Sequence, residues 1–237
     1  MKLEPGDVIS YIEMCQEEGI SLQRGMNFRI KDKCSVILMS LRRNAPYSDK
    51  VEDNGDTLIY EGHDIARSRG QDPKLVSQEM QNSGGSLTQN GLFSKAAIDY
   101  KNNKCEVELV KVYEKIHAGI WVYAGIFMLV DSWQEEINNR KVFKFKLKVA
   151  KGSLNYNHKD AVMDCNRIIP TSVKLAVWKR DGGRCIKCNC SDNLHFDHII
   201  PYSKGGSSLT AENIQLLCAR HNMKSEIKSN EIIKEKK

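Results

Sequence analysis

Four metal-ligating side chains in the C-terminal third form two paired half-sites. They are Cys185-x-x-Cys188 and Cys218-x-x-His221, with 29 residues between them. This is the spacing with which a tetrahedral zinc staples a short chain. Inside the staple lie Asp197-His198 and Asn213, and Asn222 follows the last ligand. Asp197 offers an anionic oxygen to a hard cation such as Mg²⁺ or Mn²⁺. Asn222 offers a neutral amide oxygen from the helix that closes the site. His198, with an ordinary pKa near neutrality, can act as general base toward water. Together these groups point to metal-assisted phosphodiester hydrolysis, which needs an activated water, neutralised phosphoryl oxygens and a stabilised leaving oxygen. Cys190 competes with Cys188 as a ligand, and two intervening residues suit the knuckle turn better than four. His195 is expected to be structural on its strand and Trp178 to pack the helix before the staple. Lys204 and Lys224 are within the same segment and could contact phosphate.

Short elements must carry these groups. After Pro170, Thr171 is the expected N-cap of a helix over SVKLAVWKR, stopped by Asp181-Gly182-Gly183. His195–Ile200 and Ile214–Leu217 read as strands. From Ala219 onward a helix is expected, with Met223, Ile227 and Ile232 interleaved with lysines. The order is β-β-α around one metal staple. Upstream, residues 1–150 read as strand-rich. Cys34–Leu41 is a short apolar run, and Gly55–Glu61 and Glu106–Val112 have strand character. Phe143, Phe145, Leu147 and Val149 alternate with Lys144, Lys146 and Lys148, predicting one buried and one basic face. Leu92–Tyr100 reads as a helix and Gln71–Gln89 as a long polar surface loop. Residues 151–168 read as a linker.

The 237 residues suffice for two domains. The longest apolar run, Ala118–Val130, has 13 residues, short of the roughly 18–20 that a membrane-spanning helix needs. A buried strand or two is expected there, and no membrane association. The N-terminus is acidic and polar, unlike a signal or transit peptide, so a cytoplasmic location is expected. Cys15, Cys34, Cys105 and Cys165 share no spacing and are expected to be free thiols. Residues 166–237 hold 13 Lys+Arg against 7 Asp+Glu, whereas residues 1–165 hold 23 of each. The whole +6 surplus therefore lies with the metal motif. Counterion release makes a polyanion one partner for such a surplus, and a solvated helix face is the other reading.

The stretches WKRDGGRCIKC, FDHIIPYSKGG, ENIQLLC and CARHNMK resemble the zinc-stapled branch of the HNH (ββα-metal) endonuclease family over about Arg167–Lys228. The resemblance implies structural zinc at Cys185, Cys188, Cys218 and His221. It implies catalytic metal at Asp197 and Asn222, with His198 as general base. Asn213 matches the family's middle Asn, which holds the loop that aims the base. Two departures stand out: the fourth zinc ligand is His221 where many relatives have Cys, and the triad is His-Asn-Asn.

The ordered stretches RGMNFRI, SVILMSLRRNAPYSD, NGDTLIYEGHD, GSLTQNGLFSKA, IWVYAGIFMLVD and KFKLKVA resemble the SRA domain, a reader of modified cytosine, over roughly Pro5–Ala150. Its Gly-Asp-x-x-x-Tyr-x-Gly hallmark lies at Gly55–Gly62. A Tyr-Asp-Gly turn is represented by Tyr123-Ala124-Gly125, which lacks the acid. The resemblance implies base flipping, with Tyr47 and Tyr60 at the stacking positions. An acid accepting from the cytosine N4 amino group would be Asp49 or, because this loop is one residue longer, Asp53. Gln81–Asn90 occupies the place of the loop that fills the gap left by the flipped base.

The expected fold class is α+β: a strand-rich SRA-like β-barrel domain over residues 1–150, a linker over 151–168, and a small zinc-stapled ββα domain over 169–237. The expected function is modification-dependent cleavage of double-stranded DNA containing 5-methylcytosine or 5-hydroxymethylcytosine. Zn²⁺ would be structural and Mg²⁺ or Mn²⁺ catalytic, and double-strand cleavage would call for a homodimer or two binding events. The alternatives are a non-enzymatic reader, or a nuclease whose first domain binds another DNA feature or a protein.

Overall fold

A computed structural model describes residues 3–66, 71–150, 169–201 and 204–222. The expected linker, Lys224 and the helix beyond Asn222 lie outside these residues.

The first unit is built on one large sheet. Strands β1 (Val8–Ser10), β2 (Met26–Asn27), β3 (Ser35–Met39), β4 (Lys50–Glu52), β5 (Thr57–Glu61), β6 (Glu108–His117), β7 (Ile120–Ile137) and β8 (Arg140–Val149) pair in the order β2-β3-β6-β7-β8-β5-β4, with β1 against β7. All neighbours are antiparallel except β3 and β6. The path has two ends, β2 and β4, and among the described residues no pairing joins them. In place of the expected closed barrel, the described residues form an open sheet. The end strands are short, with two and three residues.

The apolar run at 118–130 forms part of β7, and among the described residues no helix is long and apolar enough to cross a membrane. Tyr123-Ala124-Gly125 is not a turn. It lies inside β7, where Val112 pairs Gly125 and Tyr113 pairs Tyr123, leaving Ala124 as the extra residue of a bulge. Val130 is a second extra residue, opposite the step between Lys146 and Leu147. Such bulges bend a sheet and sharpen its twist.

Helix α1 (Tyr11–Glu18) starts at a capping box between Ser10 and Glu13 and ends at left-handed Gly19. Helix α2 (Gln89–Lys101), capped by the Thr88 hydroxyl, packs on β7. Its Phe93 and Ala97 meet Phe127, Phe145 and Leu147 in the main core. The alternation predicted for β8 holds on the apolar side. On the other side Lys144 is buried rather than solvated, and its ammonium lies 2.9 Å from Glu61. Arg140 is also buried and reaches Glu61 and Asp64. Charge is tolerated there because each ion is paired; stripping one partner from such a pair costs about 3–5 kcal/mol.

The second unit holds α3 (Thr171–Arg180), β9 (Leu194–His198) and β10 (Ile214–Cys218), with β9 and β10 antiparallel. Thr171 is the first helical residue, not the cap; Pro170 caps the helix, and the Thr171 hydroxyl donates to Glu114 on β6. Val173, Val177, Leu194, Phe196, Ile214 and Leu216 form one core. Ile116 and Val122 of the first unit belong to that same core.

Candidate functional site: a zinc-closed ββα centre and a base pocket

The zinc donors are brought together by local backbone geometry. The Asn189 N–H donates to the Cys185 carbonyl, and the Cys185 N–H donates to the Cys190 carbonyl, each at 2.8 Å. This curls Cys185–Cys190 into a knuckle. Cys218 ends β10, and His221 follows within one helical turn. The donor atoms of Cys185, Cys188, Cys218 and His221 all lie within 4.8 Å of one another. Zn–S bonds of about 2.3 Å in a tetrahedron require S···S edges near 3.8 Å and S···N edges slightly shorter. Cys188 and Cys218 sulfurs are 3.7 Å apart, and His221 Nδ1 is 3.4 Å from both Cys185 and Cys218. The cluster fits zinc. Cys190 sits beside it, 3.4 Å from the Cys188 sulfur. Backbone hydrogen bonding at Cys190 lowers the Cys188 thiol to about 7, while the contact with Cys188 pushes Cys190 up to about 11. Cys188, and not Cys190, belongs to the four-donor set whose ligand atoms lie within 4.8 Å of one another.

β9 delivers Asp197 and His198. A side-chain oxygen of Asp197 accepts from the Gln215 amide at 3.2 Å, across the β9–β10 pair. His198 ends the strand, and its Nε2 lies 2.8 Å from the Ser208 hydroxyl. Burial lowers the His198 pKa, with Asp197 acting against that shift. The histidine is therefore held toward the neutral form in which an imidazole can accept a proton. Ser208 is 3% exposed and was not singled out from the sequence; its place just after the Gly205-Gly206 pair was the available signal.

Asn213 pins the loop after His198. Its Oδ1 accepts from the Ile200 N–H at 2.9 Å, and its amide donates to the Ile200 and Ser207 carbonyls at 3.0 Å. Its own carbonyl accepts from the Ile199 N–H. Asn222 lies in the helical turn that carries His221 and is 7% exposed.

Part of the local basic surplus is consumed by the fold. Lys174 is buried against Glu114, and Arg180 binds Asp181 and the carbonyls of Ala211 and Ile214. Lys204 remains exposed.

In the first unit, the structure separates the two rival acids. Asp49 accepts from the Ser40 N–H at 3.2 Å and the Glu61 N–H at 3.0 Å, tying the end of β3 to β5. Burial, opposed by those two hydrogen bonds, raises its carboxyl to about 7. Burial raises the Tyr60 phenol's pKa, and the nearby Asp49 and Tyr47 add to the shift. Asp53 instead sits at a 3-10 turn, where its carboxylate accepts from the Thr57 hydroxyl at 2.7 Å. Its surroundings are Asp56, Met128 and Lys148, away from both tyrosines.

The two expected stacking rings are not equivalent. Tyr60 is 2% exposed, and its hydroxyl donates to the Gly25 and Leu38 carbonyls. In this conformation it is a buried wall rather than an open platform, because β5 is covered on both faces. Tyr47 is half-buried; its ring meets His63 edge-on, and the Lys74 ammonium stands 4.0 Å over its centroid. His63, overlooked in the sequence, accepts from the Met26 N–H at 2.6 Å, and burial lowers it to about 4.

The polar loop makes a finger. Gln81 bridges Leu87, and the Asn82 side chain binds the Ser86 carbonyl and hydroxyl, leaving Gln81–Ser86 exposed. Its two roots clamp the backbone of Gly62 and His63, just after β5. Gln78 donates to the Gly62 carbonyl, and Asn90 exchanges two hydrogen bonds with His63. Gly62 makes this clamp possible: a Cβ there would lie 2.6 Å from Asn90 Oδ1 and 2.8 Å from Gln78 Oε1.

Fold and site together define an open sheet unit joined to a small unit whose two-stranded pair is closed by a four-donor Cys/His cluster. The SAD/SRA domain model matches residues 2–153, and the HNH endonuclease model matches residues 185–226. The chain belongs to the SAD/SRA family and carries a C-terminal HNH endonuclease domain. Similar solved structures include the SUVH5 SRA domain bound to fully hydroxymethylated CG DNA, at 26% identity and TM-score 0.45, covering 63% of this chain and 91% of that one. The SUVH5 SRA complex with hemimethylated CG DNA is similar at 26% identity and TM-score 0.44, covering 64% and 92%. Arabidopsis thaliana SUVH6 is similar at 21% identity and TM-score 0.45, covering 73% of this chain and 28% of that one. No curated protein matches the chain.

Proposed function

We propose that this protein is a modification-dependent DNA endonuclease that binds duplex DNA carrying 5-methylcytosine or 5-hydroxymethylcytosine and hydrolyses a nearby phosphodiester bond. The observation that carries this reading is the HNH centre itself. Asn213 pins the loop leaving His198, and the donor set fits zinc at the module's base, in one chain with an SRA domain.

In the reader, the flipped cytosine packs against Tyr47, and Tyr60 and Asp49 line the deeper wall. Asp49 accepts from the N4 amino group with the lone pairs left by its two backbone bonds. Lys74 leaves the Tyr47 face, or the base takes the opposite face. The exposed finger tip fills the vacated stack.

In the nuclease, Asp197 and Asn222 hold the divalent cation, Mg²⁺ or Mn²⁺. The ion, when bound, neutralises developing charge on the phosphate. His198 takes the proton from the attacking water, and Ser208 fixes the ring by its bond to Nε2. One such centre cuts one strand, so a double-strand break calls for two copies or two binding events.

Matched duplexes carrying cytosine, 5-methylcytosine or 5-hydroxymethylcytosine, each with Mg²⁺ or Mn²⁺, test the reading. Cleavage confined to modified duplexes is expected. No cleavage under either metal removes the nuclease reading, and equal cleavage of all three removes the reader. Asp49→Ala should cost about 1–3 kcal/mol of affinity for the modified duplex, as expected for loss of a base-edge contact. Asp53→Ala should leave affinity unchanged. Competition binding with a melting curve as folding control checks both variants; the reverse order would return the role to Asp53.

A further inference from the structure

The strand that carries Asp197 and His198 is hydrogen-bonded to the reader. Gly6 and Asp7 lie between the two units. The Gly6 N–H donates to the Tyr123 carbonyl at 2.8 Å, and the Tyr123 N–H donates to the Asp7 carbonyl at 2.9 Å. On the other side, the Phe196 N–H donates to the Gly6 carbonyl at 3.0 Å, and Asp7 bridges His195 in antiparallel sense. The backbone thus runs sideways from β7 through residues 6–7 into β9 and β10. The Asp7 carboxylate adds a hydrogen bond with His195 Nδ1 at 2.9 Å. Gly6 has φ of +107°, and a Cβ there would stand 2.8 Å from the Phe196 carbonyl oxygen and 3.0 Å from the His195 ring. Only glycine fits between the strands.

A second latch joins β6 to α3. Glu114 on β6 is fully buried, and its two oxygens take the Thr171 hydroxyl and the Lys174 ammonium of α3. Between the latches, Val8, Ile116, Ile120 and Val122 pack against the core of the nuclease unit. Two unconnected modules on a tether would need none of this. A buried ion pair and a strand addition give orientation, since each is satisfied at one relative placement.

We propose that Gly6, Asp7 with His195, and Glu114 with Thr171 and Lys174 are positioning residues that hold the nuclease strand at one register to the base pocket. The consequence is a single cut distance from the modified base, set by the protein rather than by flanking sequence. This rests on the nuclease reading above.

The test uses the full chain and end-labelled duplexes with one modified cytosine in several flanking sequences, with cuts mapped at single-nucleotide resolution. The wild type should cut each strand at one dominant distance in every flank. Gly6→Ala and Glu114→Gln should spread the cuts over neighbouring phosphates, while affinity for the modified duplex stays within about twofold of wild type. Lys174→Arg, which keeps the ion pair, should retain the single distance. Asp7→Asn acts on a partly exposed side chain and should fold where the buried changes do not; it should show a smaller spread. Scattered wild-type cuts, or an unchanged single distance in all three disrupting variants, overturn the positioning role and leave the nuclease reading intact. No cleavage by the wild type overturns both.

Discussion

Cys185→Ala is expected to unfold the C-terminal unit and to release its zinc, while the reader keeps its affinity for modified duplex. Described residues 169–201 and 204–222 contain one short helix and one two-stranded hairpin. A core of that size contributes little more than a few kcal/mol by itself. Zinc binding to such a site is worth about 10–16 kcal/mol, and it is folding energy because the unfolded chain has no preformed site. Cys185 is 1% exposed and packs in the module's core as well as facing the donor cluster, so alanine removes a ligand and leaves a gap. Metal analysis should show zinc falling from one equivalent to a small fraction. Calorimetry should show loss of the module's transition with the reader's transition retained. An unchanged melting profile with full zinc content would remove Cys185 from the ligand set. A chelator added to the wild type should reproduce the variant, and zinc should reverse it.

His198→Ala is expected to lower cleavage about 10²–10⁴-fold, the usual contribution of a positioned general base. The effect should fall on the rate of the bound complex and not on DNA affinity. His198 sits at the end of β9, remote from the Tyr47–Asp49–Tyr60 region on β5 and its neighbouring loop. It is not one of the four zinc donors, so folding and metal content should be unchanged. Single-turnover cleavage, with binding measured in parallel, checks both halves. Cleavage at the wild-type rate would take the base role from His198. Loss of zinc or of the melting transition would assign it a structural role instead.

Much of the nuclease unit was legible because metal chemistry is local. Ligand identity and spacing are written directly in Cys185-x-x-Cys188 and Cys218-x-x-His221, and the knuckle needs only short-range backbone bonds. The strands of the reader were legible where apolar residues run or alternate, as in β3, β5 and β8. Thr171 misled because a hydroxyl before a helix reads as a cap, whereas a buried carboxylate 57 positions away binds it instead. Lys144 misled for a related reason: the alternation places it opposite the core, but Glu61 and the cover over that face come from distant segments. Tyr60 was expected as a stacking ring, yet it is buried because β5 lies beneath other elements.

By itself the sequence determined the paired spacing of Cys185, Cys188, Cys218 and His221, the Asp197–His198–Asn213–Asn222 order and the strand-rich character of the first 150 residues. All of these follow from residue type and short spacing. Tertiary structure decided the different surroundings of Asp49 and Asp53, the open sheet in place of a barrel, and the fusion of the two units through Gly6, Asp7 and Glu114. These depend on partners far apart in the chain. Only the folded backbone brings Asp7 to His195 or Glu114 to Lys174, and no local pattern records which buried charge will meet which.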